Sequence, residues 1–255
     1  MKICRFSFEN QTNYGVLTND LIHLLEDFSF DYDFTNFIKS SKYLKRSDVV
    51  ILPPVKPSKI VCVGRNYAEH ASELGNAVPK EPLLFLKAPS SLITEKDAII
   101  IPKQSNQVEH EGELAIVLKR NCKNLTEHDN PFDYIFGYTC LNDVTARDLQ
   151  RNDIQFTRAK SFDTFCPIGD FIETHLNVKD IHITTKVNGS IKQDGRTSQM
   201  VFSVPFLIRY ISNQMTLIEG DVIATGTPSG VSKLEKGDIC EVEIEGVGTL
   251  TNSVE

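Results

Sequence analysis

Glu111 and Glu113 stand two residues apart in the segment 108–118, with Asp143 further along the chain and His70 and Glu73 before them. Residues two apart point to the same face of a strand, so Glu109, Glu111, Glu113, Ala115 and Val117 are expected on one side. That face passes from acids into core residues, which places the carboxylates at the rim of a buried sheet. There their mutual repulsion calls for a cation or for protons. Three carboxylates with no histidine or thiolate among them suit a hard divalent ion, Mg²⁺ or Mn²⁺, that keeps open positions for water or substrate. On spacing alone, Glu111 and Glu113 fit equally an edge strand whose charges block pairing with other chains. Asp143 likewise fits the cap of a helix over 144–150.

His70 and Glu73 share a face if their segment is helical, so the carboxylate can orient or charge the imidazole; an ordinary surface pair has the same spacing. Lys87 and Lys160 each sit among apolar residues. A lysine at a strand end extends its ammonium to water, whereas a partly buried one beside a metal binds a substrate carboxylate or a developing enolate. Thr225-Gly226-Thr227-Pro228-Ser229-Gly230 combines hydroxyls with permissive glycines, so its backbone could approach an anion closely; turns have the same composition.

The elements that must position these residues are mostly strands. Tyr14 to Leu25 reads as a small β-hairpin, and Pro53-Pro54-Val55-Lys56-Pro57 interrupts regular structure, dividing a small N-terminal β module (1–52) from a main domain (53–255). Within that domain an apolar run over 59–63 ends at Gly64. A short helix is expected next, with Asn66 as N-cap, Glu69 in capping-box position and Gly75 just past its end. Strands are expected over 98–101, 108–118 and 135–141, and Asn188-Gly189 signals a type I′ hairpin. A helix is expected from about Ser203, and Gly220-Asp221 and Gly237-Asp238 each open a C-terminal strand. The strands are not separated by regular helices and Gly64-Arg65-Asn66 lacks the glycines of a dinucleotide fingerprint, so a β-rich α+β fold is expected rather than a doubly wound sheet.

The 255 residues carry 27 basic and 34 acidic side chains, a formal net charge of -7, with no basic stripe to track phosphates; nucleic acid is not an expected partner. No segment has the roughly 20 apolar residues of a membrane span, and the N-terminus lacks a signal-peptide pattern, so a cytoplasmic or organellar-matrix protein is expected. The six cysteines are scattered without close pairs and read as reduced core residues.

Taken in order, Gly64-Arg65-Asn66-Tyr67-Ala68-Glu69-His70, Phe85-Leu86-Lys87, Glu111-Gly112-Glu113-Leu114, Asn142-Asp143-Val144-Thr145-Ala146-Arg147-Asp148-Leu149-Gln150, Lys160-Ser161-Phe162-Asp163-Thr164 and Thr225-Gly226-Thr227-Pro228 resemble the fumarylacetoacetate hydrolase family. The similarity spans about residues 55–255 and looks most like the short acylpyruvase branch, which includes oxaloacetate decarboxylases. The resemblance implies a mixed β-sandwich roll, a homodimer, and an Mg²⁺ or Mn²⁺ site made by Glu111, Glu113 and Asp143. It also implies His70 and Glu73 as the acid/base dyad, Lys160 as a further catalytic residue, and Gln150, Thr227 and Arg147 as substrate contacts. Phe156 takes the aromatic position upstream of the matching lysine, where the family often has tryptophan. The implied reaction is hydrolysis of the C–C bond of acylpyruvates to pyruvate and a carboxylic acid, with oxaloacetate decarboxylation and keto–enol tautomerisation as alternatives. Glu109 receives no role, and the short N-terminal module is unlike that of fumarylacetoacetase itself.

Overall fold

The structure, a computed structural model, describes residues 1–26, 28–31 and 42–255. An 11-stranded mixed sheet dominates it. Its order runs Tyr43–Lys45, Leu21–Leu25, Gln11–Thr18, Lys2–Phe8, Phe171–Glu173, Ile135–Asn142, Gly112–Leu118, Val222–Ala224, Ile60–Gly64 and Leu83–Lys87, with Val50–Leu52 also on Lys2–Phe8. Val222–Ala224 and Ile60–Gly64 pair in parallel; the neighbouring pairs around them are antiparallel. A second, four-stranded antiparallel sheet, ordered Ser190–Arg196, His182–Val187, Ile239–Ile244 and Gly248–Ser253, lies against it.

The central strands are apolar on both faces because both faces are covered. Leu114, Ile116 and Leu118 pack with Ile183, Val242 and Ile244 of the second sheet and with Val204, Leu207, Ile208 and Ile211 of a helix, whereas Ala115 and Val117 pack with Cys62, Val222 and Ala224 on the opposite face. The fold is thus α+β and β-rich, as expected, with its helices confined to short segments. All six cysteines are free and buried. Among the described residues no helix is long and apolar enough to cross a membrane.

Local sequence signals hold at several points. Asn188 (φ 52°) and Gly189 (φ 75°) both lie in the left-handed region that a type I′ turn between His182–Val187 and Ser190–Arg196 requires. The helix Val204–Ser212 starts after N-cap Ser203 with Pro205 in its first turn. The helix α1, Ala68–Glu73, ends at Leu74, and Gly75 follows at φ 69°.

Other expectations fail for identifiable reasons. Asn66 does not cap α1; its amide instead donates to Thr225 O (2.7 Å) and Phe202 O (3.1 Å) and accepts from Phe202 N (2.8 Å), leaving Tyr67 as a cap without a side-chain bond. Glu69 forms no capping box, and its Oε2 accepts from Ser229 Oγ at 3.3 Å. Residues 98–101 make only an isolated bridge, Ile99 with Val254. The segment 108–118 is not one strand: Val108–Glu109 pairs with Thr145–Ala146, and Gly112–Leu118 joins the large sheet. Between them the chain bends, because Glu111 N bonds to the Asn142 side chain (2.9 Å) and the buried His110 ring lies between Gln193 (3.2 Å) and Ser232 (2.9 Å). Gly112–Leu118 has a strand on each side, so Glu113 is not on an edge strand, and Glu111 stands just outside the strand.

Candidate active site

The bend at His110 and Glu111 brings the acids together. Glu111 and Glu113 flank the start of Gly112–Leu118, and Asp143 follows its partner strand Ile135–Asn142 directly. Asp143 N donates to Glu111 O at 2.8 Å, which fixes the register of the two segments. One ligand atom from each of Glu111, Glu113 and Asp143 lies within 4.8 Å of the others, and all three residues are buried. Asp143 caps no helix: the helix α2, Arg147–Asn152, begins later with Ala146 at its N-cap.

Three buried cations stand against these acids. Lys160, on the short helix α3 (Thr157–Lys160), donates to Glu111 Oε2 (2.8 Å) and Asp143 Oδ2 (2.6 Å), while Lys87 donates to Asp143 Oδ1 (2.6 Å). Arg147 pairs with Glu111 Oε1 and, through Nε, with Glu109 Oε2 at 2.7 Å. Neither lysine extends to water, since Lys87 and Lys160 are each about 1 % exposed. Glu109, without a role in the sequence reading, orients Arg147 from the two-stranded sheet beside the site.

The balance differs from acid to acid. Burial pushes the Glu111 carboxyl upward, but Lys160 and Arg147 outweigh it and hold the group well below the usual carboxylate range. Burial pushes Glu113 well above that range, and the neighbouring Asp143 and Glu111 add to the effect. Among the described residues no cation forms an ion pair with Glu113, whose Oε2 accepts only the Gly226 N–H, at 2.8 Å. A buried carboxylate of this kind needs a proton or an added cation. Each carboxylate oxygen has two lone pairs, so Glu111 and Asp143 can bond their lysines and still bind a cation. Oxygen-only donors, tight spacing and one uncompensated carboxylate therefore fit a hard divalent ion.

All nine residues singled out as metal, acid/base or substrate groups line one cavity of about 420 Å³: His70, Glu73, Glu111, Glu113, Asp143, Arg147, Gln150, Lys160 and Thr227. His70 Nδ1 lies 3.3 Å from Glu73 Oε2 on α1, and the Glu73 carboxylate accepts the Gly230 N–H at 3.0 and 3.1 Å. The loop after Val222–Ala224 thus anchors the carboxylate that orients the imidazole. Gln150 Oε1 accepts from Arg147 at 2.5 Å. Phe85 and Phe156 form an edge-on pair in the wall, with Lys160 Nζ 5.0 Å from the Phe85 ring centre.

Gln193 escaped the sequence reading because nothing local marks it. It is fully buried, and its amide spends every hydrogen-bonding group on the site: Nε2 donates to Thr227 Oγ1 and Pro228 O (both 2.7 Å), and Oε1 accepts from Gly112 N and His110. Thr227 therefore accepts from Gln193 and donates to Gly112 O, at 2.8 Å. Gly112 itself stands between the two acids of the Glu111-Gly112-Glu113-Leu114 motif. A Cβ at that position would stand 2.1 Å from Thr185 Oγ1 of the second sheet. Gly112→Ala is expected to destabilise the fold by about 1–3 kcal/mol through this overlap, read as a lower midpoint in urea unfolding.

Residues 59–255 match the family profile "Fumarylacetoacetate (FAA) hydrolase C-terminal", and residues 1–54 match "Rv2993c-like, N-terminal". The chain is 43% identical over 224 residues to human mitochondrial oxaloacetate tautomerase FAHD2A, covering 83% of this chain and 71% of that protein. It superposes on the crystal structure of 5-carboxymethyl-2-hydroxymuconate delta-isomerase from Mycobacterium smegmatis with TM-score 0.88, 38% identity, and 100% and 99% of the two chains covered. It superposes on fumarylpyruvate hydrolase from Pseudomonas aeruginosa, solved in complex with Mn²⁺ and pyruvate, with TM-score 0.73, 29% identity, and 79% and 90% covered.

Proposed function

This chain belongs to the fumarylacetoacetate hydrolase family, and we propose that within it the protein is a divalent-metal-dependent enzyme that interconverts the keto and enol forms of a 2-oxo dicarboxylic acid such as oxaloacetate. One observation carries this reading. The His70–Glu73 pair opens onto the same cavity as three buried carboxylates, so a proton acceptor and a cation-holding platform face one small volume. The 43% identity to an oxaloacetate tautomerase favours this outcome among those the family supports.

Keto–enol interconversion moves a proton between carbon 3 and the 2-oxygen, so it needs a base and stabilisation of charge at that oxygen. Glu111, Glu113 and Asp143 would hold Mg²⁺ or Mn²⁺, which when bound supplies Lewis-acid stabilisation of that charge. Glu73, accepting from His70 Nδ1–H, holds the tautomer whose Nε2 is basic; Nε2 takes the proton from carbon 3 and delivers it to the 2-oxygen in enolisation, and carries it the other way in ketonisation. Lys160 spends two N–H groups on Glu111 and Asp143 and keeps a third for the oxo acid. Gln150, its oxygen engaged by Arg147, offers its amide N–H groups to the substrate carboxylate. The Thr227 hydroxyl hydrogen is committed to Gly112 O, so Thr227 presents a lone pair, the partner suited to an enol hydroxyl.

A second reading, hydrolysis of acylpyruvates, is favoured by the likeness to the fumarylpyruvate hydrolase. In it His70 would deprotonate a water that attacks carbon 4 of a 2,4-dioxo acid, and the pyruvate enolate released would be protonated at the same site. Loss of carbon dioxide from oxaloacetate passes through that enolate too.

The absorbance of enol oxaloacetate, followed with Mg²⁺, with Mn²⁺ and after chelation, separates these readings when acetylpyruvate and fumarylpyruvate are assayed alongside. Metal-dependent ketonisation that chelator abolishes is the expected result. Cleavage of the acylpyruvates without effect on the enol would replace the first reading by the second, and full activity in chelated protein would overturn both.

A further inference from the structure

Arg65 and Arg151 are the cavity-lining cations that the chemistry above leaves unused, and of the two only Arg65 is half-buried, Arg151 being exposed. Arg65 sits between the strand Ile60–Gly64 and α1, at φ 57°, a left-handed conformation that is costly for any residue bearing a Cβ. The surrounding structure holds it there: the adjacent Asn66 is fully buried, bonded through its side chain to Thr225 and Phe202 and through its carbonyl to Val201 N (2.8 Å). The half-buried Arg65 side chain makes no hydrogen bond or ion pair among the described residues. Arg147 and Lys160 are paired with carboxylates, whereas Arg151 is exposed and donates through Nη1 to the neutral Gln107 Oε1 at 3.1 Å.

Charge accounting gives this arginine a purpose. The cavity is lined by four cationic side chains, Arg65, Arg147, Arg151 and Lys160. Four carboxylates, Glu73, Glu111, Glu113 and Asp143, offset them. A divalent ion would leave two positive charges, of which a monocarboxylic 2-oxo acid cancels one. A dicarboxylic acid cancels both, and Arg65, half-buried with none of its donors spent where Arg151 is exposed, is the better placed to receive the second carboxylate, with a planar fork suited to it.

We propose that Arg65 binds the far carboxylate of a dicarboxylic 2-oxo acid and is the residue that separates dianionic from monoanionic substrates at this site. The role rests on the 2-oxo acid reading given above, so the test keeps the two apart. Calorimetric titration of Mn²⁺-loaded protein uses two stable probes of equal chain length, 2-oxoglutarate and 2-oxopentanoate, with oxalate as a ligand that has no far half. Arg65→Asn removes the charge while placing a residue that tolerates the left-handed region, and Arg65→Lys keeps the charge.

Arg65→Asn is expected to weaken 2-oxoglutarate by about 10- to 100-fold, the worth of a hydrogen-bonded charge, and to leave 2-oxopentanoate and oxalate nearly unchanged. Arg65→Lys, which keeps the charge and loses the fork, should fall between the unaltered protein and Arg65→Asn. Thermal unfolding of both variants checks that the fold survives. Equal weakening of both 2-oxo acids by Arg65→Asn, or weakening of neither, would overturn the role of Arg65 while the site reading stands. Failure of all three ligands to bind the Mn²⁺-loaded, unaltered protein would overturn the site reading and the role of Arg65 with it.

Discussion

Replacing His70 with asparagine is expected to lower kcat for tautomerisation by about 10²- to 10⁴-fold, the usual contribution of a positioned general base, with Mn²⁺ affinity close to that of the unaltered protein. His70 is 4 % exposed, and its Nδ1 faces Glu73, which leaves Nε2 to handle the proton. Asparagine keeps a polar group of similar reach but has no basic nitrogen. Because His70 is not one of the three clustered acids, the ligand set survives the change. Glu73→Gln should give a smaller loss of kcat, again without loss of metal, since it weakens the orientation of the imidazole and leaves the ring in place. Steady-state kinetics paired with Mn²⁺ titration distinguishes this from Glu111→Gln, which should weaken the metal first because one ligand charge is removed. A His70→Asn protein with normal kcat would show that another group carries the proton.

Lys160→Met is expected to destabilise the metal-free protein by about 3–5 kcal/mol, the cost of removing one partner from a buried ion pair, measured by urea unfolding. Lys160, about 1 % exposed, joins Glu111 and Asp143 with bonds of 2.8 and 2.6 Å at the wall of the cavity. Burial works against its charge, but the attraction of Asp143 and Glu111 prevails and raises its pKa, so the ammonium stays protonated at neutral pH. Methionine preserves much of the stem's volume, so the loss reports the charge. It would leave Glu111 and Asp143 with one lysine, Lys87, and one arginine, Arg147, between them, beside the uncompensated Glu113. Mn²⁺ should restore much of the lost stability, because a ligand that binds only the folded state stabilises it by mass action. An unfolding midpoint unchanged by Lys160→Met would mean that the ammonium does not balance these acids.

What the sequence disclosed divides along physical lines. Signals set by one or two residues were legible: the positive φ values at Asn188 and Gly189, the proline in the first turn of Val204–Ser212, and Gly75 past the end of α1. The grouping of Glu111, Glu113 and Asp143 emerged from motif order and matches the cluster in the structure. Readings that depended on a distant competitor failed. Asn66 looks like a helix cap until Phe202 and Thr225 offer its amide stronger, buried partners. The uniform strand over 108–118 looks continuous because its alternation persists, whereas the bend is imposed by Asn142, Gln193 and Ser232, all remote in sequence. For Lys87 and Lys160 the sequence leaves two readings open, a lysine that reaches for water and one buried beside a metal; the tertiary structure takes the buried one and puts Asp143 between them. Glu109 acquired its role from Arg147, a pairing across the small sheet at Thr145–Ala146 that no periodicity encodes.

The central claim is that His70 moves a proton at carbon 3 of a 2-oxo acid held at the Glu111, Glu113 and Asp143 site. Its most direct test is exchange of deuterium from heavy water into the methyl carbon of pyruvate, followed by proton NMR, with Mn²⁺-loaded protein, chelated protein and the His70→Asn variant. Exchange that requires both the metal and His70 is the predicted result; exchange that continues at full rate after chelation, or in His70→Asn, would contradict it.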